Sequence, residues 1–123
     1  LAEKQSEKPP FGVPGLETTL PLLCTALREK RLTEDRLIEL VATNPQRIFG
    51  VTPDPDTYTL VDLDMSTIIE RAHLRTMCGW SPFEGKRVSG AVREVWIRGR
   101  KVFDGENVLV KPGFGQNLFG EGV

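Results

Sequence analysis

The stretch PPFGVPG (residues 9–15) crowds three prolines and two glycines into seven positions, and an apolar helical pattern begins at the very next residue. Pro9, Pro10 and Pro14 fix φ and withhold hydrogen-bond donors, whereas Gly12 and Gly15 admit tight or positive-φ backbone. A shaped loop and a helix with no strand ahead of them suit the start of an α/β fold poorly, because such loops follow the carboxyl end of a strand. The chain therefore reads as cut from something larger.

Leu16, Leu20, Leu23, Cys24 and Leu27 recur at helical spacing and give one apolar face. Pro21 in a helix interior would cost about 3 kcal/mol, so the regular helix is expected to start near Leu20 or Pro21, with the proline in its first turn. Arg28, Lys30 and Arg31 cluster at its end, where positive charge suits the helix dipole. Thr33 is the expected N-cap of a second helix, with Glu34 and Asp35 in the first turn and Leu37, Ile38 and Val41 as its stripe. A third, short helix is expected with Asn44 as cap, Pro45 at its first position, Ile48 and Phe49 facing inward and Gly50 as stop. Residues 16–50 thus read as helical.

The pattern then changes. VTPDPDT is a turn-rich connector, and YTLVDLD alternates as a half-buried strand does. Residues 65–79 read either as a helical turn or as a long surface loop. From Val88 onward GAVREVWIRG and RKVFDGENVLV are strand runs, punctuated by Gly99 and by the Asp104–Gly105 turn pair. The glycine-rich tail, KPGFGQNLFGEGV, is expected to be irregular, and no internal repeat is visible.

Composition excludes more than it selects. With 16 basic and 17 acidic residues, the net charge of −1 directs the chain neither to nucleic acid nor to an anionic membrane. No apolar run approaches the roughly 20 residues that span a bilayer, and no signal peptide is visible. Cys24 and Cys78 lie far apart without CxxC spacing, and both read as reduced thiols of an intracellular, cytoplasmic protein. His73 is the single histidine, and HxH, HExxH, GxSxG and GxxxxGK[ST] are absent. A zinc or triad site needs several converging ligands, or a base beside its nucleophile. This chain by itself supplies neither, so no catalytic or metal-ligating residue is assigned to it.

Four features could still carry chemistry. The proline-glycine loop could offer backbone N–H and C=O groups to a small planar ligand, or serve as a connector. Asp62 and Asp64, two apart on a strand, share one face and could form a carboxylate pair or a solvated surface. His73 could be a base or an ordinary surface residue. Lys86, Arg87, Arg93, Arg98, Arg100 and Lys101, offset by Glu84 and Glu94, make the hairpin basic. A nucleic-acid face usually adds exposed aromatics on a sheet, whereas here Trp96 alternates with Arg and Ile in one strand, which reads as a solvated hairpin face. GFGQNLFGEG in the tail is no dinucleotide fingerprint, since its third glycine is misplaced and no helix follows.

Three separated motifs, in order, resemble one family. EKPPFGVPGLETTLPLL resembles the segment of dihydroorotases that follows their Asp-His-Ala-Pro-His motif. NPQRIFG resembles the Asn-Pro helix that closes their barrel, and WSPFEGKRVSGAVREVWIRGRKVFDG is similar to the C-terminal strands shared by cyclic amidohydrolases. The dihydroorotase domain of eukaryotic multifunctional pyrimidine-synthesis proteins is most similar, down to PGFGQNL near its close.

The resemblance implies an α/β fold: residues 1–50 as loop and helices closing a (β/α) TIM-type barrel, and residues 51–123 as part of a small β-sandwich that joins strands from the start of the domain. It implies that the loop lines the pocket for dihydroorotate or carbamoyl aspartate, with Pro10, Phe11, Gly12 and Val13 at the substrate-binding positions. The family's zinc ligands, carboxylated lysine and catalytic aspartate match positions upstream of Leu1. In a working enzyme, the resemblance implies, a zinc pair of the parent domain would supply the activated hydroxide and the aspartate would shuttle the proton in reversible ring closure. This chain would then supply pocket wall and scaffold, with the remainder of the domain as its partner in a homo-oligomer. Fungal multifunctional proteins carry a dihydroorotase-like domain that has lost catalytic residues, and the chain could come from such a scaffold. A stand-alone β-rich interaction module is the third reading, against which the unaccompanied apolar helix stripe counts.

Overall fold

The computed structural model describes residues 1–119; the part of the tail at 120–123, expected to be irregular, lies outside the described residues. A 3-10 turn at Ala2–Gln5 precedes three short α-helices, α1 (Thr19–Arg28), α2 (Glu34–Ile38) and α3 (Asn44–Phe49). Two long strands, β1 (Tyr58–Ile68) and β2 (Arg87–Ile97), and a short one, β3 (Arg100–Phe103), form a three-stranded sheet in the order β1–β2–β3. Two compact units result. One comprises Leu1–Arg31 with Leu63–Gly90, the other Leu32–Asp62 with the chain from Ala91 onward.

In the first unit, α1 starts at Thr19, one residue before the earlier of the two expected positions, and Pro21 stands in its first turn. Leu16 precedes the helix and is 99% exposed, whereas Leu20, Leu23 and Leu27 are half-buried. Among the described residues nothing covers Leu16, so the apolar stripe is only partly satisfied by this chain. Cys24, Thr25 and Ala26 are the buried residues of α1, and Ile69 and Val88, the latter 1% exposed, complete the apolar core of this unit. Burial pushes the Cys24 thiol above its ordinary pKa and keeps it protonated. Cys24 and the exposed Cys78 are both free thiols.

Thr25 is the polar link between helix and strand. Its Oγ1 accepts the Ser89 N–H at 2.8 Å and donates to the Pro21 carbonyl at 2.7 Å, while Arg28 Nη1 donates to Ser89 Oγ at 3.3 Å. Thr25→Val keeps the shape and orphans a buried N–H, so it is expected to cost about 1–3 kcal/mol. Thr25→Ser, which restores the hydroxyl, is expected to recover most of that loss. Urea denaturation of the two variants checks this, and equal stabilities would show that the hydroxyl contributes nothing.

The second unit opens with α2, capped as expected: Thr33 Oγ1 accepts the Arg36 N–H at 3.3 Å. The separate third helix is corrected. A π-helical turn at Glu39–Thr43 runs straight into α3, and Thr43 and Asn44 are both helical rather than capping. Pro45 explains the wide turn. It has no N–H for the Val41 carbonyl, and its ring would clash with that carbonyl in a regular α-helix. One wider turn removes the clash without breaking the helix. Gly50 ends α3 in the left-handed region (φ 64°), and the Val51 N–H donates to the Gln46 carbonyl at 2.9 Å.

A second correction concerns the face of α3. Ile48 and Phe49, expected inside, are 70% and 65% exposed, and Ile38, Leu40 and Val41 are exposed as well. No described residue of this chain covers them.

The β reading holds from Tyr58, and it resolves residues 65–79: β1 continues to Ile68, and a 3-10 turn at Arg71–His73 leads into a surface loop. The β2–β3 hairpin is antiparallel, pairing Trp96 with Lys101 and Ile97 with Arg100, and its register shifts between Val95 and Trp96. Arg98 and Gly99 both take positive φ (51° and 70°) at the tight turn. The Arg98 N–H donates to Thr57 Oγ1 at 3.0 Å and the Gly99 N–H to the Asp56 carbonyl at 3.0 Å, which holds an otherwise costly arginine conformation. Arg98 Nη2 also donates to the Phe114 carbonyl at 2.8 Å, with its guanidinium over the Phe114 ring, so the tail segment folds back on the hairpin.

Candidate functional site

The proline-glycine loop and the surface loop after β1 meet within the first unit around a cavity of about 490 Å³. Its wall comes from Val13–Thr18 on one side and from Leu74–Thr76, Cys78, Trp80 and Ser81 on the other. The volume suits a small ligand or part of one, and the lining is mostly apolar.

The loop is shaped at both ends. Gly12 takes φ 84° with open space where a Cβ would stand, so its backbone conformation, not crowding, is what requires glycine. The Gly15 carbonyl accepts from the Thr18 and Thr19 N–H groups at 3.1 and 2.9 Å and from their hydroxyls at 3.3 and 2.7 Å. That carbonyl is saturated and has no lone pair left for a ligand. Lys4 Nζ donates to the Pro10 carbonyl, fastening the loop's first end to the preceding 3-10 turn.

Of the expected substrate-binding residues, Val13 lines the cavity, while Pro10, Phe11 and Gly12 lie outside its wall and are exposed. Phe11 has its whole ring in solvent. The residue that sequence reasoning missed is Glu17. Its carboxylate accepts the Arg75 N–H at 2.9 Å (Oε2) and 3.1 Å (Oε1), and the Thr76 N–H at 2.6 Å (Oε1). A glutamate just ahead of a helix reads as dipole complement, and no spacing signal points to partners 58 and 59 residues away.

The other candidates have ordinary partners. Asp62 accepts from Arg93 Nη2 at 2.8 Å, with Nε at 3.1 Å. His73 is largely exposed, and its Nδ1 lies 3.8 Å from Glu70 Oε2. In the basic hairpin Lys101 Nζ stands 2.6 Å from Glu94 Oε1 and over the Trp96 ring, which in turn stacks on Tyr58. Trp96 Nε1 donates to the other Glu94 oxygen at 2.7 Å.

The Lys101 and Trp96 hydrogen bonds hold the Glu94 carboxyl below its ordinary pKa. A depressed folded value means the stabilisation is complete above the ordinary glutamate pKa and is lost as pH falls through the depressed one. Glu94→Gln is therefore expected to flatten the acid limb of a stability–pH curve. A superimposable acid limb in the variant would remove Glu94 from the account.

Zinc, which the resemblance implies for the parent domain, finds no donor set here: among the described residues no three His, Cys, Asp or Glu side chains converge. No helix among them is long and apolar enough to cross a membrane.

No family model matches the chain. Individual proteins do. It is 47% identical over 118 residues to the multifunctional protein CAD of Squalus acanthias, a match covering 96% of this chain and 5% of that protein. It is 37% identical over 108 residues to the dihydroorotase of Pyrococcus furiosus, covering 82% of this chain and 26% of the enzyme. The chain belongs to the dihydroorotase–hydantoinase family of cyclic amidohydrolases.

Solved structures of the family agree. The L-hydantoinase of Arthrobacter aurescens superposes with a TM-score of 0.80 at 34% identity, over 85% of this chain and 25% of that one. The inactive dihydroorotase-like domain of the Chaetomium thermophilum CAD-like multifunctional protein superposes at 0.71 with 28% identity, over 90% of this chain and 32% of that one. The chain thus spans about a third or less of the length of these amidohydrolase relatives.

Proposed function

We propose that the chain is the C-terminal part of a dihydroorotase-type domain in de novo pyrimidine synthesis, which interconverts carbamoyl aspartate and dihydroorotate. Residues 1–50 close a (β/α) barrel, and residues 51–123 belong to a small β-sandwich. The observation that carries this reading is the 47% identity to the CAD protein across nearly the whole chain. The chain's own part is to bind and orient. Pro10, Phe11, Gly12 and Val13 present backbone and apolar surface to the pyrimidine ring, and the catalytic and metal-binding groups come from the rest of the domain. The exposed Leu16, Ile48 and Phe49 support this division, since each needs cover that the described residues do not give. The partner is thus the remainder of the same domain, within a cytoplasmic homo-oligomer.

A second reading has one observation in its favour, the structural likeness to the inactive dihydroorotase-like domain of the Chaetomium protein. There the domain would be a scaffold between flanking activities. Intact mass under native and denaturing conditions, followed by an assay of the purified full-length polypeptide with dihydroorotate, separates the two. Turnover establishes the enzyme. A polypeptide that lacks turnover but loses its flanking activities when the domain is removed establishes the scaffold. A lone 13.7 kDa species in both mass measurements would overturn both readings.

A further inference from the structure

We propose that Glu17 is a positioning residue that sets the path of the 10–16 loop by clamping it to the backbone of Arg75 and Thr76. This rests on the reading of that loop as pocket wall. Three observations point the same way. Glu17 is the one side chain of the loop–helix junction whose carboxylate reaches across the cavity, and it takes both consecutive N–H groups of the facing loop. The facing loop is built to present those groups. Thr76 Oγ1 accepts the Cys78 N–H at 3.4 Å, the Thr76 carbonyl accepts the Gly79 N–H at 3.0 Å, and Gly79 closes the turn at φ 62°. On its own side, the four donors on the Gly15 carbonyl fix the turn from which Glu17 projects.

The chemistry fits the role. A carboxylate accepting two backbone N–H groups makes charge-assisted bonds, stronger than neutral ones. It recognises backbone, so it fixes loop position whatever the side chains of the facing loop are. Glu17 touches no reacting atom under this scheme. It acts through Gly12 and Val13, whose placement relative to the ring depends on where the loop is tied down.

The test uses the full-length polypeptide with Glu17→Gln and Glu17→Ala, and with Gly12→Val as a reference. Amide hydrogen exchange reports the clamp itself. Exchange at Arg75 and Thr76 is expected to quicken about tenfold in Glu17→Ala, and less in Glu17→Gln, which keeps one acceptor oxygen. The Michaelis constant for dihydroorotate, or its dissociation constant where turnover is absent, is expected to rise about tenfold in Glu17→Ala with kcat within about twofold. Unchanged exchange would show that the clamp does not exist. Faster exchange with an unchanged Michaelis constant, while Gly12→Val raises it, would overturn the positioning role and leave the pocket wall standing. If Gly12→Val is also silent, or the unaltered protein neither turns over nor binds dihydroorotate, the pocket reading falls and the positioning role falls with it.

Discussion

Gly105→Val is expected to cost the domain about 2–5 kcal/mol, the sum of a strained backbone and an overpacked contact. Gly105 follows Asp104 in the turn after β3 and takes φ 96°, a conformation that β-branched residues all but exclude. A Cβ there would stand 3.2 Å from the Arg93 carbonyl oxygen and 3.7 Å from that of Val92, both backbone atoms of the neighbouring strand. The turn has little room to shift, because Asp104 Oδ1 accepts the Glu106 and Asn107 N–H groups at 2.9 and 2.6 Å, and the Leu109 N–H donates to the Val102 carbonyl at 2.8 Å. Gly113→Val is the matched control, with φ 88° and open space around the added carbon. Urea denaturation should place Gly105→Val well below Gly113→Val. Equal losses would mean that the backbone conformation alone accounts for the effect and the strand contact for none of it.

Gly12→Val is expected to raise the Michaelis constant for dihydroorotate about tenfold or more in the full-length polypeptide, with a smaller effect on stability. The argument runs opposite to that for Gly105. No atom lies within 4 Å of the added carbon, so nothing forces the loop to hold its path once φ 84° becomes costly. Relaxation is then cheaper than strain, and the loop lowers its energy by giving up its shape. A binding loop pays for that in affinity, whereas a connector does not. Steady-state kinetics and a melting curve on the same preparation decide it, and an unchanged Michaelis constant with an unchanged melting temperature would reduce the segment to a connector.

Local signals in the sequence were read well where one residue decides the backbone. Thr33 capping α2, Pro21 in the first turn of α1, Gly50 at a left-handed helix end and Gly99 in the hairpin turn all stand where their chemistry directs. Asn44–Pro45 misled because each residue favours a helix start, whereas the preceding residues 39–43 already continue the helix and the π-turn absorbs the proline. Ile48 and Phe49 misled for a different reason. Apolar character forecasts that a residue will be covered, but not by which polypeptide, and within this chain they stay in solvent. Glu17 was illegible because its partners are main-chain groups, which every sequence offers at every position. The family likeness was legible in three spaced motifs, and the comparisons bear it out.

The wide turn at Glu39–Thr43 also bears on how this helical arm can vary. A π-turn holds about one residue more than the α-turn it replaces, so it takes up an extra residue while keeping α2 and α3 in phase. Losing one residue there would return the arm to a regular pitch with Ile48 and Phe49 at nearly the same bearing, whereas losing one from a regular turn would swing them by about 100° around the axis. A one-residue loss is thus absorbed at the wide turn, while the same loss within the regular turns of α2 or α3 re-aims the α3 apolar pair. The wide turn is therefore the place in this arm where one residue can come or go while the surface that Ile48 and Phe49 present keeps its aim.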